Sequence, residues 1–234
     1  MPRMKPMLFN TQMVRATLAG DKTATRRIIR NQPTIGAELI CENLLPETVE
    51  AGAGAVFAWS DGTVSGAPWA EGDILWVREA WGDYREHYED GEGPYILYRA
   101  DYPDGAKSVP FPENEKTDYA DSWDLPKWHP SIHMPREYAR IFLRVKKVRA
   151  QLLKEITREE IKAEGITQEA MERMLSPGSS APRWVVDTIY KRLFSELWNS
   201  TIKPDKIDSC GWVASPWVWV IEYERCEKPE EDVE

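Results

Sequence analysis

The stretch AGDKTATRRIIR, residues 19–30, concentrates cations around two hydroxyl groups. Lys22 and three arginines lie within a few residues of Thr23 and Thr25. Charged residues of globular proteins are usually distributed over solvated faces, so this clustering has two interpretations. It is either a basic strand edge, or an anion or nucleotide site that contains a candidate nucleophile.

The second interpretation requires a base, because a threonine hydroxyl is a poor nucleophile at neutral pH. Lys22 can act as that base for Thr25 only if its pKa is lowered. The adjacent charges of Arg26 and Arg27 would lower it, and burial would add to this effect. On a straight strand, Lys22 and Thr25 point to opposite faces. We therefore expect the chain to turn between Gly20 and Thr25.

Local patterns predict the elements that position these residues. The run NTQMVRATLA, residues 10–19, predicts a short helix that ends at Gly20. The run ITREEIKAEGIT predicts a helix with a capping box of Thr157 and Glu160 and a stop at Gly165. Alternating apolar residues predict four strands, near 25–30, 72–79, 139–149 and 216–225. A longer helix near 184–198 has an apolar stripe of Val185, Ile189, Leu193 and Leu197.

The order of helix, strands, helices and strand predicts a mixed α+β domain with a small, mostly antiparallel sheet or barrel. The four strands should form one curved sheet, with the helices near 11–19 and 184–198 packed against it. Residues 31–68 contain several prolines and glycines and predict irregular structure, with a hairpin that turns at Asp61-Gly62.

Composition limits the class of protein. The 234 residues allow one sizeable core or at most two small domains. We expect no membrane span, no secretory signal and, from three widely spaced cysteines, a reducing cytoplasm. We expect no metal site, since His129 and His133 lie in a proline-containing segment. The net charge of -9 argues against non-specific duplex binding but not against a nucleotide.

Three separated stretches, LAGDKTATRR, EGDILWVREAW and LKEITREEIKAEGIT, resemble in that order the ASCH family, whose fold is a PUA-like β-barrel. WHPSIHMPREYAR and FSELWNS followed by PWVWVIEYERC are similar to a bacteriophage and prophage subgroup of that family. The resemblance implies one ASCH domain over 1–234, with insertions at about 31–68 and 82–137 and an acidic tail at 227–234.

Small bacterial members of the family are N4-acetylcytidine amidohydrolases, which hydrolyse the acetamide on the cytosine ring to cytidine and acetate. The resemblance implies the same metal-free and cofactor-free chemistry here. It makes Lys22 the proton acceptor, Thr25 the nucleophile and Glu164 the proton donor. The implied substrate is an acylated cytosine nucleoside, or a related modified nucleoside or nucleotide.

Further residues are candidates for substrate binding around this trio. They are Thr23, Arg26, Arg27, Arg78, Glu79, His133 and Arg136. Arg78 and Glu79 are equally consistent with a salt-bridged strand end. His133 and Arg136 would lie at the mouth of the site, where Arg136 suits a phosphate, or in a surface loop. Two other functions stay open: a PUA-like protein that binds RNA or modified nucleic acid without turnover, and, with less support, a nuclease.

Overall fold

The computed structural model describes residues 2–44, 55–84, 95–102, 128–175 and 181–229. The strands are β1 (Met4–Leu8), β2 (Ala24–Ile28), β3 (Leu39–Leu44), β4 (Val56–Trp59), β5 (Val64–Gly66), β6 (Ile74–Arg78), β7 (Trp81–Tyr84), β8 (Tyr95–Tyr98), β9 (Phe142–Leu152) and β10 (Trp217–Cys226). The helices are α1 (Thr11–Ala19), α2 (Arg158–Ala163), α3 (Gln168–Glu172), α4 (Arg183–Ser200) and α5 (Ile207–Cys210). Much of the predicted insertion at 82–137 and most of the tail at 227–234 lie outside the described residues.

The largest sheet has five strands in the order β1-β6-β9-β10-β2. All four predicted strands belong to it, and the prediction of one sheet is confirmed. β1 pairs in parallel with β6, and the other neighbours are antiparallel. The mixed α+β class is also confirmed, whereas the described residues contain no closed barrel. β2 has one hydrogen-bonded neighbour in this sheet, so its other edge is available to a site.

A second sheet, in the order β3-β4-β5, corrects the prediction for residues 31–68. The hairpin at Asp61-Gly62 is confirmed, with Gly62 at φ 84°, but β3 extends it to three strands. Phe57 and Trp59 on β4 are buried, and the Phe57 ring lies 4.9 Å from that of Trp219 on β10. The segment therefore contributes to the main core instead of lying outside it as irregular chain.

The two helices that flank the site form as predicted. α1 begins after Asn10, whose side chain accepts a hydrogen bond from the Met13 amide, and it ends at Gly20 with φ 85°. α2 begins with the complete capping box of Thr157 and Glu160. These contacts satisfy backbone donors that a helix leaves unpaired in its first turn.

The main sheet has apolar packing on both faces. One face packs against α1 and the three-stranded sheet, and the other packs against α2, α3 and α4. The buried stripe of α4 is Tyr190, Phe194 and Trp198, and the predicted stripe lies half-buried beside it. Aromatic rings reach further than aliphatic side chains, so they occupy the centre of this face. None of the described helices is both long and apolar enough to cross a membrane.

Candidate active site at the free edge of strand β2

The chain between α1 and β2 is held against the end of α2. After Gly20, the backbone N–H groups of Asp21 and Lys22 both donate to the carbonyl of Ala16, at 2.9 and 3.1 Å. Lys22 then forms an isolated antiparallel bridge with Glu164. This helix stop and bridge place Lys22 beside a residue 142 positions away in the sequence.

The Lys22 side chain is fully buried and its ammonium group has three acceptors. Nζ donates to Glu164 Oε2 at 2.5 Å, to the Ala24 carbonyl at 2.8 Å and to the Glu164 carbonyl at 3.0 Å. Three donors match three acceptors, so this geometry fits a charged lysine in an ion pair with Glu164.

Burial lowers the pKa of Lys22, and this is the largest influence on it. The Glu164 carboxylate acts in the opposite direction and raises the pKa of Lys22, while the charges of Arg27 and Arg26 lower it. The predicted direction is therefore confirmed, but the main cause is desolvation and not the neighbouring arginines. An ammonium removed from water loses hydration that its partners replace only in part.

Thr25 is fully buried on β2 and its hydroxyl has an arginine donor. Arg27 Nη1 donates to Thr25 Oγ1 at 2.8 Å and to the Arg26 carbonyl at 2.8 Å. Arg27 Nη2 donates to the Leu8 carbonyl, also at 2.8 Å. The guanidinium is thereby fixed in place, and it directs positive charge at the oxygen of the candidate nucleophile.

Arg26 points to the acids of α2. Its side chain is 1% exposed, and Nη1 donates to Glu164 Oε1 at 3.0 Å. Nη2 lies 3.2 Å from Glu160 Oε2 and donates to Gln151 Oε1 at 3.1 Å. The two oxygens of Glu164 are therefore each held by a different cation from the β2 segment.

A cavity of about 420 Å³ opens along the free edge of β2. Thr25, Arg26, Arg27 and Glu164 line it, together with residues of β1, α1 and α4. The lining includes two phenyl rings, Phe9, whose ring centre lies 5.8 Å from Arg27 Cζ, and Phe194, whose ring centre lies 5.9 Å from Arg26 Cζ. This size is within the usual range for small-molecule sites.

The predicted trio is brought together but only part of it faces this cavity. Thr25 and Glu164 line it, and Lys22 lies directly behind Glu164. Lys22 instead lines a second cavity of about 640 Å³, together with Thr23. The Thr23 backbone bonds to Ala163 and Tyr223, and its side chain is exposed.

Four other predicted site residues lie away from the 420 Å³ cavity. The described residues that line this cavity do not include Arg78, Glu79, His133 or Arg136. Glu79 is paired with Arg140, and Arg136 Nη1 lies 3.7 Å from the sulfur of Met4. Arg78 donates to the carbonyl of Ile132, in the turn Ser131–His133.

That turn brings Ser131 to the cavity wall. Arg78 therefore stabilises the position of Ser131 through its hydrogen bond to the neighbouring residue Ile132. Sequence reasoning missed Ser131, although it lies two residues before His133 in the same motif. It also missed Phe194, Leu197 and Trp198 of α4, which line the cavity. Their helical spacing indicates only packing, so the sequence has no signal that separates a cavity wall from a core stripe.

The described residues contain no group of three or more His, Cys, Asp or Glu side chains arranged to hold a metal ion.

No family model matches the chain, and no curated protein or solved structure matches it either. The geometry of the site itself therefore carries its chemistry: the Glu164 carboxylate and the arginine-bonded Thr25 hydroxyl line one cavity, and buried Lys22 lies behind the carboxylate.

Proposed function

We propose that this chain is a PUA-like amidohydrolase of the ASCH family. It hydrolyses the exocyclic amide of an acylated cytosine nucleoside, such as N4-acetylcytidine, or of a related modified base, without a metal or cofactor. The observation that carries the proposal is the hydrogen bond of 2.5 Å between Lys22 Nζ and Glu164 Oε2, beside the cavity that Thr25 also lines.

The first half of the reaction transfers the acyl group to Thr25. Neutral Lys22 takes the hydroxyl proton while Thr25 Oγ attacks the amide carbon, and Arg27 withdraws charge from that oxygen. The C–N bond then breaks, and the protonated Glu164 gives its proton to the leaving amine. Cytosine nucleoside departs, leaving an ester on Thr25 with Lys22 charged and Glu164 ionised.

The second half restores the enzyme. A water molecule gives a proton to the Glu164 carboxylate as its oxygen attacks the ester carbon. The ester C–O bond breaks, Thr25 recovers its proton from Lys22, and the carboxylic acid is released. Atoms and charges balance, and Lys22 and Glu164 return to their neutral forms.

The hydrogen bond between Lys22 and Glu164 connects the resting and reactive states. The ion pair of the structure and the neutral pair required for attack contain the same number of protons. They differ by the transfer of one proton within the hydrogen bond whose donor and acceptor atoms lie 2.5 Å apart. Burial lowers the pKa of Lys22, and a lower pKa favours the neutral lysine that the attack requires.

The direct test is to incubate the purified protein with N4-acetylcytidine and a panel of acylated and alkylated nucleosides, and to measure product release. Intact-protein mass spectrometry after rapid acid quenching should detect the protein with one added acyl group, located by peptide mapping on Thr25. Turnover of an acylated nucleoside without any acyl adduct on Thr25 would assign the nucleophile elsewhere. Absence of turnover for the whole panel would remove the amidohydrolase proposal.

A second function is favoured by one specific observation, the three acceptors of the Lys22 ammonium. A lysine so completely bonded can be purely structural, and the cavity that Phe9 and Phe194 line would then bind a modified base without turnover. Calorimetric titration with the same nucleosides separates the two functions. Binding of unchanged ligand favours the binding protein, and conversion of ligand during the titration favours the enzyme.

A further inference from the structure

We infer that Arg26 is a positioning residue that disfavours a second proton on the Lys22–Glu164 pair and thereby sets the lower pH limit of the site. This role rests on the proposed amidohydrolase function, where Glu164 must accept a proton before it can donate one. Arg26 also lines the 420 Å³ cavity, so the sequence-based expectation that it binds substrate stays a prediction.

The contacts of Arg26 support this role. Its guanidinium contacts Glu164 Oε1 at 3.0 Å, Gln151 Oε1 at 3.1 Å and Glu160 Oε2 at 3.2 Å. The guanidinium is almost completely buried and lies 5.9 Å from the ring centre of Phe194. The guanidinium is therefore held between α2 and α4 through its two Nη atoms, while its buried Nε has no hydrogen-bond partner among the described residues.

Charged and titratable groups surround the Lys22–Glu164 pair from several elements. β2 supplies Arg26 and Arg27, α2 supplies Glu160, and β10 supplies Tyr223. Further out, Arg149 on β9 pairs with Glu160 and with Glu222 of β10. Of these, Arg26 and Lys22 are the cations with a described hydrogen bond to the Glu164 carboxylate, one to each oxygen.

This arrangement fixes the sign of the effect. A cation at hydrogen-bond distance favours the ionised form of a carboxyl group by about 1 to 3 pH units. Activity requires one proton on the Lys22–Glu164 pair, and a second proton stops it. Without the charge of Arg26, the second proton binds at higher pH, so the acidic limb of the rate profile moves upward.

The kinetic test compares kcat against pH for the unmutated protein, Arg26→Gln and Arg26→Lys. Arg26→Gln should move the acidic limb up by at least about one pH unit, and Arg26→Lys should restore most of the original profile. The matched control is Arg149→Gln, which removes another cation bonded to Glu160 and should leave the limb in place. A raised KM with an unmoved limb in Arg26→Gln would show substrate binding instead and overturn the positioning role.

A readout independent of turnover separates this role from the proposed function. Carboxyl carbons of glutamate are labelled with ¹³C, and the Glu164 signal is identified by its loss in Glu164→Gln. Its acidic transition should move upward by at least about one pH unit in Arg26→Gln. If it does so in a protein that turns over no acylated nucleoside, the amidohydrolase proposal fails and the charge role of Arg26 stands.

An unmoved Glu164 signal refutes the role of Arg26 whether or not the protein is active. If Arg26→Gln does not fold, Arg26→Gln combined with Glu160→Gln removes one charge of each sign and keeps a glutamine in the capping box. The same upward shift of the Glu164 signal is expected in that double variant, and an unmoved signal there has the same meaning.

Discussion

Glu164 and Glu79 are both buried carboxylates paired with arginines, and they differ in what surrounds them. Glu164 is 4% exposed and shares its oxygens between Lys22 and Arg26. Glu79 is 1% exposed, and both of its oxygens are bonded by one guanidinium, that of Arg140, at 2.9 and 3.0 Å.

The second cluster is closed by further contacts. Arg140 also donates two hydrogen bonds to Asp101, at 2.8 and 2.9 Å, and its Cζ lies 3.8 Å from the ring centre of Tyr98. Burial raises the pKa of Glu79, and the hydrogen bonds and charge of Arg140 oppose that rise. This cluster clamps the end of β6 to β8 and the segment after it.

Burial and an arginine partner therefore do not by themselves indicate chemistry. Glu79 sits in a planar fork with matched donors and acceptors, which is suited to holding two segments together. The two carboxylate oxygens of Glu164 bond to different cations, Lys22 and Arg26, and the side chain lines a cavity together with Thr25. Variants at the two clusters should therefore separate stability from activity.

The largest expected effect is on stability, in Arg140→Met. This change leaves Glu79 buried without its cation and should lower the free energy of unfolding by about 3 to 5 kcal/mol, with kcat unchanged. Urea denaturation and the nucleoside assay measure the two effects. Arg192→Met is the matched control, because the exposed Arg192–Glu196 pair on α4 should contribute only about 0.3 to 0.5 kcal/mol. A large loss of kcat in folded Arg140→Met would show that the Glu79–Arg140 cluster also contributes to catalysis.

Thr25→Ala should have the opposite signature. We expect kcat to fall by at least about 100-fold, or about 2.7 kcal/mol, with a small change in stability. Thr25→Ser keeps the hydroxyl and should retain part of the activity. Thr188→Ala, which removes an exposed hydroxyl from α4, is the control for the substitution itself. Unchanged turnover in Thr25→Ala would exclude Thr25 as the nucleophile.

Gly165→Ala tests the support behind the Lys22–Glu164 pair. Gly165 has φ 95°, and an added Cβ would lie 2.7 Å from Ala16 Cβ and 3.2 Å from Lys22 Cβ. The backbone conformation alone should cost about 1 to 2 kcal/mol, and the contact with α1 should add to it. Gly36→Ala has a similar φ of 89° and open space around the new carbon, so it gives the backbone contribution by itself. Equal losses of stability in the two variants would mean that α1 and α2 move apart at little cost to accommodate the added methyl group.

The smallest expected effect is the pH dependence of stability due to Lys22. Because burial lowers the pKa of Lys22 in the folded state, the unfolded chain binds more protons between that pKa and the ordinary lysine value. The Lys22 contribution is therefore fully present above about pH 10.4 and is lost as pH falls through the folded pKa. Its slope is at most about 1.4 kcal/mol per pH unit.

The measurement is the free energy of unfolding of the unmutated protein minus that of Lys22→Met, followed upward from about pH 8 toward the ordinary lysine pKa. This difference should rise with pH. Lys146→Met, which changes an exposed lysine paired with Glu224, should show little such trend. A difference that falls with pH would mean that the ion pair with Glu164 outweighs burial at Lys22.

The sequence alone determined the local units that frame the site. The stop at Gly20, the capping box of Thr157 and Glu160 and the turn at Asp61-Gly62 all form where their residues predict. Each depends on hydrogen bonds and backbone preferences within a few positions of chain. β1 was missed because MKPML contains a proline and buries only Met7, and parallel pairing with β6 is what stabilises it.

The tertiary structure alone decided which charges meet. The sequence grouped Arg26 with the substrate-binding residues without indicating that it pairs with Glu164. It left Glu79 between the pocket and a salt-bridged strand end, and Arg140 clamps Glu79 in the second of these. It equally gave no sign that Phe194 borders the cavity. Pairing depends on separations of a few ångströms and on exclusion of water, and both arise when strands and helices from distant parts of the chain pack in one register.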